Sequence, residues 1–209
     1  MNGLLVTVDG PGGAGKSTTV RHLHDLLTAQ GHEVHATTEP SHDLLGRTAR
    51  DNSDTYSGHA LACLVAADRY HHLTTDIRPH LDQGHIVLCD RYVASSYVLQ
   101  RMDGVPLHFI ETLNAAADTP GLAVILTADP TTTADRIAHR GTRHRFETGV
   151  TTSRTESDLY EDTIRRLTER GYPILAIDTT TTASDQVAAM IAQRVNQLAT
   201  TDNPESTTP

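Results

Sequence analysis

The sequence predicts an α/β fold: a doubly wound, five-stranded parallel sheet flanked by helices and carrying a short lid. Three observations point there. Apolar, β-branched runs alternate with amphipathic stretches along the 209 residues, which is the pattern of parallel strands joined by helical crossovers. The first apolar run, Leu4–Asp9, feeds directly into a glycine-rich turn. No linker or internal repeat divides the chain, so a single domain is expected over residues 1–199, with a polar, Thr/Pro-rich tail at 200–209 expected to be disordered.

The elements follow in order. The strands are read at Leu4–Asp9, Glu33–Thr37, Ile86–Asp90, Ala123–Ala128 and Pro173–Ile177, each short, apolar and suited to burial on both faces. Helices are read at Ser17–Gln30, Asp43–Asp51, Gly58–Gln83 with a break near Pro79, Val93–Gln100, Leu107–Ala117, Thr131–Arg140, Thr155–Arg170 and Ala183–Leu198. Asp129-Pro130 reads as a turn into a helix whose cap lies at Thr131–Thr133. Ligands bind such sheets beyond the carboxyl ends of the strands. The polar groups standing there are Asp9, Thr38-Glu39-Pro40, Asp90-Arg91-Tyr92 and Asp129.

The turn after the first strand is Gly10-Pro11-Gly12-Gly13-Ala14-Gly15-Lys16-Ser17-Thr18. It satisfies G-x-x-x-x-G-K-[ST] from Gly10 to Ser17. Glycine suits the positions where backbone N–H groups must approach a phosphate without side chains in the way. The helix that follows presents its positive end. Lys16 supplies a mobile charge, and the Ser17 hydroxyl can ligate Mg²⁺. Strand, loop and helix together predict a P-loop NTPase-type fold that binds ATP through residues 10–18.

Composition sets limits. The net charge of −9 argues against a non-specific nucleic-acid partner. No apolar run approaches the roughly 20 residues of a membrane span, and the chain reaches Asp9 and the P-loop without a basic, apolar leader. A cytoplasmic location is therefore expected. Cys63 and Cys89 lie in apolar runs without metal spacing and are expected to be reduced core thiols. Thirteen histidines are scattered without His-Glu-x-x-His or Cys/His grouping, and most are read as solvated. The pair His71-His72 adjoins a charged site.

Three further constellations carry chemistry. Asp90 ends an apolar strand, where a carboxylate suits Mg²⁺ held through water, and Arg91 beside it suits a bidentate phosphate clamp. Arg140-Gly141-Thr142-Arg143-His144-Arg145-Phe146-Glu147 concentrates three arginines in a chain with 17 Lys plus Arg. Such a loop, about 138–154, suits a lid that excludes water and supplies charge. Asp68-Arg69 enters an apolar helix, which is costly unless the charges are paired or liganded. Either Arg50 or Arg69 suits an acceptor phosphate, a helix cap or the surface.

In this order the pieces resemble the thymidylate kinase family of nucleoside monophosphate kinases, from about Leu4 to about Leu198. The resemblance is carried by Thr38-Glu39-Pro40 with Gly46 and Arg50, Ala66-Ala67-Asp68-Arg69, Asp90-Arg91-Tyr92-Val93-Ala94-Ser95-Ser96, and Arg140-Gly141 leading to Arg145-Phe146-Glu147. Asp9-Gly10-Pro11 alone is more similar to cytidylate kinases. The resemblance implies that Lys16 binds ATP phosphates, that Ser17 and Asp90 serve Mg²⁺, and that Arg91 bridges donor and acceptor phosphates. It implies an acceptor side containing Asp9, Glu39, Pro40, Arg50, Val65, Arg69, Arg91, Ser95, Leu99 and Gln100. Lid arginines Arg140, Arg143 and Arg145 would supply transition-state charge, and a homodimer is implied.

The chain departs from that family where the acceptor is read. Gly12 stands where an acidic residue usually contacts the acceptor sugar, Val65 where a phenylalanine stacks on thymine, Leu99 where a further aromatic is usual, and Thr38 where a basic residue often stands. The expected activity is transfer of the ATP γ-phosphoryl group to a pyrimidine nucleoside 5′-monophosphate, with dTMP the default. A modified pyrimidine nucleotide or another small phosphorylated metabolite is the alternative acceptor. A nucleotide-dependent switch without acceptor turnover is the alternative from another class.

Overall fold

The computed structural model describes residues 3–142, 146–147 and 149–201. Five parallel strands form one sheet: β1 (Leu4–Asp9), β2 (Val34–Thr38), β3 (Ile86–Asp90), β4 (Leu122–Thr127) and β5 (Ile174–Asp178), in the spatial order β2-β3-β1-β4-β5. β1 is central, with Val8 opposite Asp90 on β3 and Asp9 opposite Ile125 on β4. Its two neighbours come from crossovers on either side, so β1 ends at the topological switch where α/β sheets hold ligands.

Strand alternation divides the core into two layers. Val6, Val8, Ile86 and Leu88 face α1 (Lys16–Ala29) and α9 (Ser184–Thr201), packing on Leu23, Leu27, Val187 and Ile191. Leu5, Val87 and Cys89 face the other way. They meet α5 (Val93–Met102), α6 (Leu107–Leu113) and α8 (Gly149–Glu169) through Val98, Ile110, Tyr160 and Leu167. Burying each large aliphatic side chain contributes roughly 1.5–3 kcal/mol, so the sheet holds the strand ends, and the side chains on them, in fixed register.

The remaining helices are α2 (Leu44–Asp51), α3 (Gly58–His72), α4 (Arg78–Asp82) and α7 (Pro130–Arg140). Asp129 caps α7, its Oδ1 accepting from the N–H groups of Thr131 and Thr132 at 2.8 and 3.1 Å. Three expectations need correction. The long helix after Gly58 is interrupted by a π-helical segment at Leu73–Ile77 rather than at Pro79, which sits in the first turn of α4 where its missing N–H costs nothing. α8 begins at Gly149, six residues before the expected Thr155. Cys89 is buried but Cys63 is exposed; it sits on the outer face of α3, so it is not a core thiol. No described helix is long and apolar enough to cross a membrane.

Candidate active site

A cavity of about 480 Å³ opens at the carboxyl ends of β1, β2 and β3. At one end it is lined by Gly12, Gly13, Gly15, Lys16, Ser17 and Thr18. The loop conformation explains its glycines. Gly10 has φ +143°, and a Cβ there would collide with the Leu126 carbonyl of β4; Gly13 has φ +78°, and its Cβ would meet the Thr133 carbonyl at 2.7 Å. A side chain at either place would push the loop off β4 and α7. Lys16 is buried and its Nζ donates to the carbonyls of Gly10 and Pro11 at 2.8 and 2.7 Å. Burial, reinforced by the nearby Arg91, lowers its pKa to about 7 against the pull of Asp90, Glu156 and Asp9.

β3 delivers Asp90 beside the loop, where the Ser17 hydroxyl donates to Asp90 Oδ2 at 2.5 Å. The other carboxylate oxygen, Oδ1, is buried without a hydrogen-bond partner. A buried acceptor left unmade is costly, and a hydroxyl and a carboxylate with a spare lone pair are the hard-oxygen set that Mg²⁺ takes. Next comes Arg91 with φ +74°, an uncommon conformation for a non-glycine residue that costs of order 1–3 kcal/mol. Asp9 stabilises this turn. Its Oδ1 accepts from the Tyr92 N–H (2.9 Å), the Ser95 N–H (2.9 Å) and the Ser95 hydroxyl (2.7 Å). The Arg91 N–H donates to the Val8 carbonyl at 3.0 Å. The backbone thus aims the Arg91 side chain at the cavity. Burial opposes its charge, but Tyr160, Asp90, Glu156 and Asp9 outweigh that and hold its pKa above the ordinary value.

The opposite end of the cavity is lined by Glu39, Pro40, Arg50, Val65, Arg69, Ser95, Leu99 and Gln100. A buried polar network organises it. Arg69, 1% exposed, donates from Nε and Nη2 to Glu39 Oε2 at 2.7 Å each and from Nη1 to the Asn114 side chain, and its guanidinium stacks on Tyr92 with 5.1 Å to the ring centroid. Asp68 accepts from Ser41 N and Oγ at 2.6 Å each, pinning the loop after Pro40 to α3. The two charges of Asp68-Arg69 therefore pair with other residues rather than with each other. His72 reaches Glu39 Oε1 at 3.5 Å and Thr37 Oγ1 at 2.7 Å, so it is a buried network member, whereas His71 stands near Asp43 at the surface. Arg50 donates to the Pro40 carbonyl. The amide oxygen of Gln100 is buried and unpartnered among the described residues.

The lid side contributes Arg140, Phe146 and Glu147 to the cavity. Arg140 Nη2 donates to Glu147 Oε1 at 2.5 Å, and Glu147 lies against Gly12 so closely that a Cβ on Gly12 would stand 3.0 Å from its carboxylate. From α8, Glu156 accepts the Gly12 N–H at 3.0 Å; it is 1% exposed and its second oxygen is unpartnered. Burial raises its pKa against the influence of Lys16, Arg91 and the Gly12 N–H.

Of the residues expected at the site, Asp9, Gly10 and Ala14 do not line the cavity. Asp9 lies beneath it and shapes the Arg91 turn, its Oδ1 accepting from Tyr92 and Ser95. Arg143 and Arg145 lie outside the described residues. Phe146 and Glu147 stood in a motif already singled out but were given no role. Glu156 was missed: its helix was read from Thr155 with no site residue on it, and only the contact of α8 with the P-loop brings it in.

Comparison with known proteins bears on this arrangement. Residues 8–191 match the thymidylate kinase family model. A probable thymidylate kinase of Caldivirga maquilingensis is 35% identical over 176 residues, covering 82% of this chain and 84% of its own. A probable thymidylate kinase of Pyrobaculum aerophilum is 31% identical over 197 residues, covering 93% and 97%. A thymidylate kinase of Clavibacter sepedonicus is 38% identical over 155 residues, covering 70% and 72%.

Proposed function

The chain belongs to the thymidylate kinase family, and on that premise we propose how its cavity moves the γ-phosphoryl group of ATP onto dTMP. The protein is a phosphotransferase, a nucleoside monophosphate kinase with dTMP as the default acceptor. The family uses ATP and generally Mg²⁺. In this chain Ser17 and Asp90 would hold the ion, which the unpartnered Asp90 oxygen fits. When bound, the ion would neutralise phosphate charge.

The observation that carries the reading is one continuous cavity whose lining includes the P-loop, Arg91, and the Arg69/Gln100 end together. Donor and acceptor phosphates that share it meet at Arg91. Transfer between phosphates needs positioning and charge neutralisation more than covalent chemistry. The P-loop amides and Lys16 hold the donor phosphates. Lys16 leaves the carbonyls of Gly10 and Pro11 for the phosphates, which restore its charge. Arg91, fixed by its backbone, spans the donor γ-phosphate and the acceptor phosphate. Arg140 adds charge from the lid, and Arg143 and Arg145 belong to the same proposal. At the acceptor end, the unpartnered amide oxygen of Gln100 suits the imide N–H of thymine. Aromatic surface lost at Val65 and Leu99 is partly replaced by Phe146, which lines the same cavity. The reading includes a homodimer, supported by the resemblance, together with a cytoplasmic location and a kinase domain over 1–199.

The test is ADP release from Mg·ATP against dTMP, dUMP, UMP, CMP, dCMP, GMP, AMP and C5-modified pyrimidine nucleotides. dTMP is expected to turn over fastest, and Gln100→Ala to raise its KM about tenfold, the cost of one buried hydrogen bond. Preference for another acceptor would reassign the pocket. No acceptor-stimulated release would sink the kinase reading.

A further inference from the structure

Behind the acceptor end of the sheet, away from the cavity, three side chains from three elements converge: His35 on β2, Asp76 on the π-helical segment and His80 on α4. One ligating atom from each lies within 4.8 Å of the others. His35 Nε2 stands 3.0 and 3.1 Å from the two Asp76 oxygens, and His80 Nδ1 stands 3.5 Å from Oδ1. Neighbouring ligands around a tetrahedral zinc ion with bonds near 2.0–2.1 Å sit roughly 3.3 Å apart, so His35 Nε2 and Asp76 already stand at donor-set spacing, while His80 has its second ring nitrogen still to be brought in. None of the three lines the cavity; the kinase reading gives His35 and His80 no task, while Asp76 Oδ2 also meets His72 Nε2 at 3.1 Å.

The backbone produces this convergence. His72, Asp76 and His80 recur at i, i+4, and the π-helical segment at Leu73–Ile77 inserts an extra residue per turn between the helices that carry them. His80 Nδ1 donates to the Asp76 carbonyl at 2.8 Å, which fixes its tautomer and leaves the lone pair on Nε2. Orienting a histidine through its second nitrogen in this way is what metal sites do. Asp76 is held ionised: burial opposes this, but His35, Thr37 and His72 lower its pKa. The side chains of His35, Asp76 and His80 are 27%, 30% and 29% exposed, so an ion can enter from solvent.

We propose that His35, Asp76 and His80 form a binding site for a divalent transition metal ion of the zinc class. Two imidazoles and one carboxylate form a nitrogen-rich set that favours Zn²⁺ over Mg²⁺ or Ca²⁺. Capture requires one local movement. The His35 and His80 rings lie stacked, 3.6 Å apart and 5° from parallel, and an ion must lie in the plane of each ring that binds it. One ring therefore turns out of the stack, and neutral His35 moves its proton from Nε2 to Nδ1. The ion would tie β2 to the helical segment beside it.

Titration calorimetry of Zn²⁺ into the tag-free, nucleotide-free chain tests this, with thermal melting alongside. One Zn²⁺ per chain at micromolar Kd or tighter is expected, with a rise in Tm. The double variant His35→Gln/His80→Gln should weaken binding at least tenfold and lose the Tm rise, while ADP release with Mg·ATP and dTMP stays at the wild-type rate. His80→Gln alone serves should the double variant fold poorly, and should show the same loss. No stoichiometric uptake by the wild-type chain would overturn the site. So would uptake unchanged in the variants, which would place the ion on other histidines. Both readouts are independent of whether dTMP is the acceptor.

Discussion

The two ends of the cavity are built differently. The donor end is a contiguous stretch, Gly10–Thr18, that works mainly through its backbone and needs one strand before it and one helix after it. The acceptor end is assembled from β2, α3, α5 and α6 through buried side-chain pairs: Glu39 with Arg69, Arg69 with Asn114, Asp68 with Ser41. A backbone cradle tolerates little change of residue type but keeps its geometry by itself. A side-chain network holds its geometry only while every buried charge keeps a partner. The first is therefore fragile in chemistry, the second in folding.

The largest effect should come from the residue where the two ends meet. Arg91→Ala is expected to lower kcat by at least about 10³-fold, the scale of a transition-state arginine, with an unchanged circular dichroism spectrum. A loss below tenfold would remove Arg91 from the transfer step. At the acceptor end, Glu39→Ala should strip Arg69 of its ion pair and cost about 3 kcal/mol of stability, the low end for breaking a buried pair. Urea unfolding measures it, and Glu39→Gln should cost less because one acceptor oxygen survives. Unchanged stability in Glu39→Ala would show that Asn114 and Tyr92 hold Arg69 unaided.

A smaller effect separates the ends by pH. Lys16 has a pKa near 7 in the free chain, and bound phosphates favour its charged form, so the bound pKa is higher. ATP binding above pH 7 must then take up a proton, and affinity should fall as pH rises between the two pKa values, by at most about tenfold per pH unit. Calorimetry at about pH 8 in buffers of different ionisation heat reads the uptake directly. dTMP binding, which does not involve Lys16, should show none of it. The smallest expected change is a gain: Val65→Phe restores a stacking surface and should lower the KM for dTMP by about 1 kcal/mol equivalent, the low end of base–aromatic stacking. A raised KM would mean that other side chains already fill that space.

The P-loop, the strand-end Asp90-Arg91 and the alternation of strands and helices were readable because each is local. Its signal is a few adjacent residues or a period of two or of 3.6 along the chain. The same locality marked Asp129-Pro130 as a turn into a helix. What failed to appear in the sequence is long-range. Asp9 looked like a cavity residue because it ends a strand, yet it does not line the cavity and its Oδ1 holds a turn more than eighty positions away. Glu156 carried no signal because its immediate neighbours, Thr155 and Ser157, are polar and no motif includes it. The break in the long helix was assigned to Pro79, the residue that breaks helices by its own chemistry, whereas the actual π-helical segment lies at Leu73–Ile77.

By itself the sequence determined the fold class, the phosphate-binding chemistry and most residues that line the cavity, because backbone conformation and hydrophobic period are properties of neighbours. Only the tertiary structure decided which charged groups face the cavity and which hold it in shape. It paired Arg69 with Glu39 rather than Asp68, placed Asp9 beneath Arg91, brought Glu156 to Gly12 and gathered His35, Asp76 and His80. A buried charge must find a partner somewhere, but the chain can supply that partner from any element that folding brings within about 3 Å, and sequence order carries no record of which.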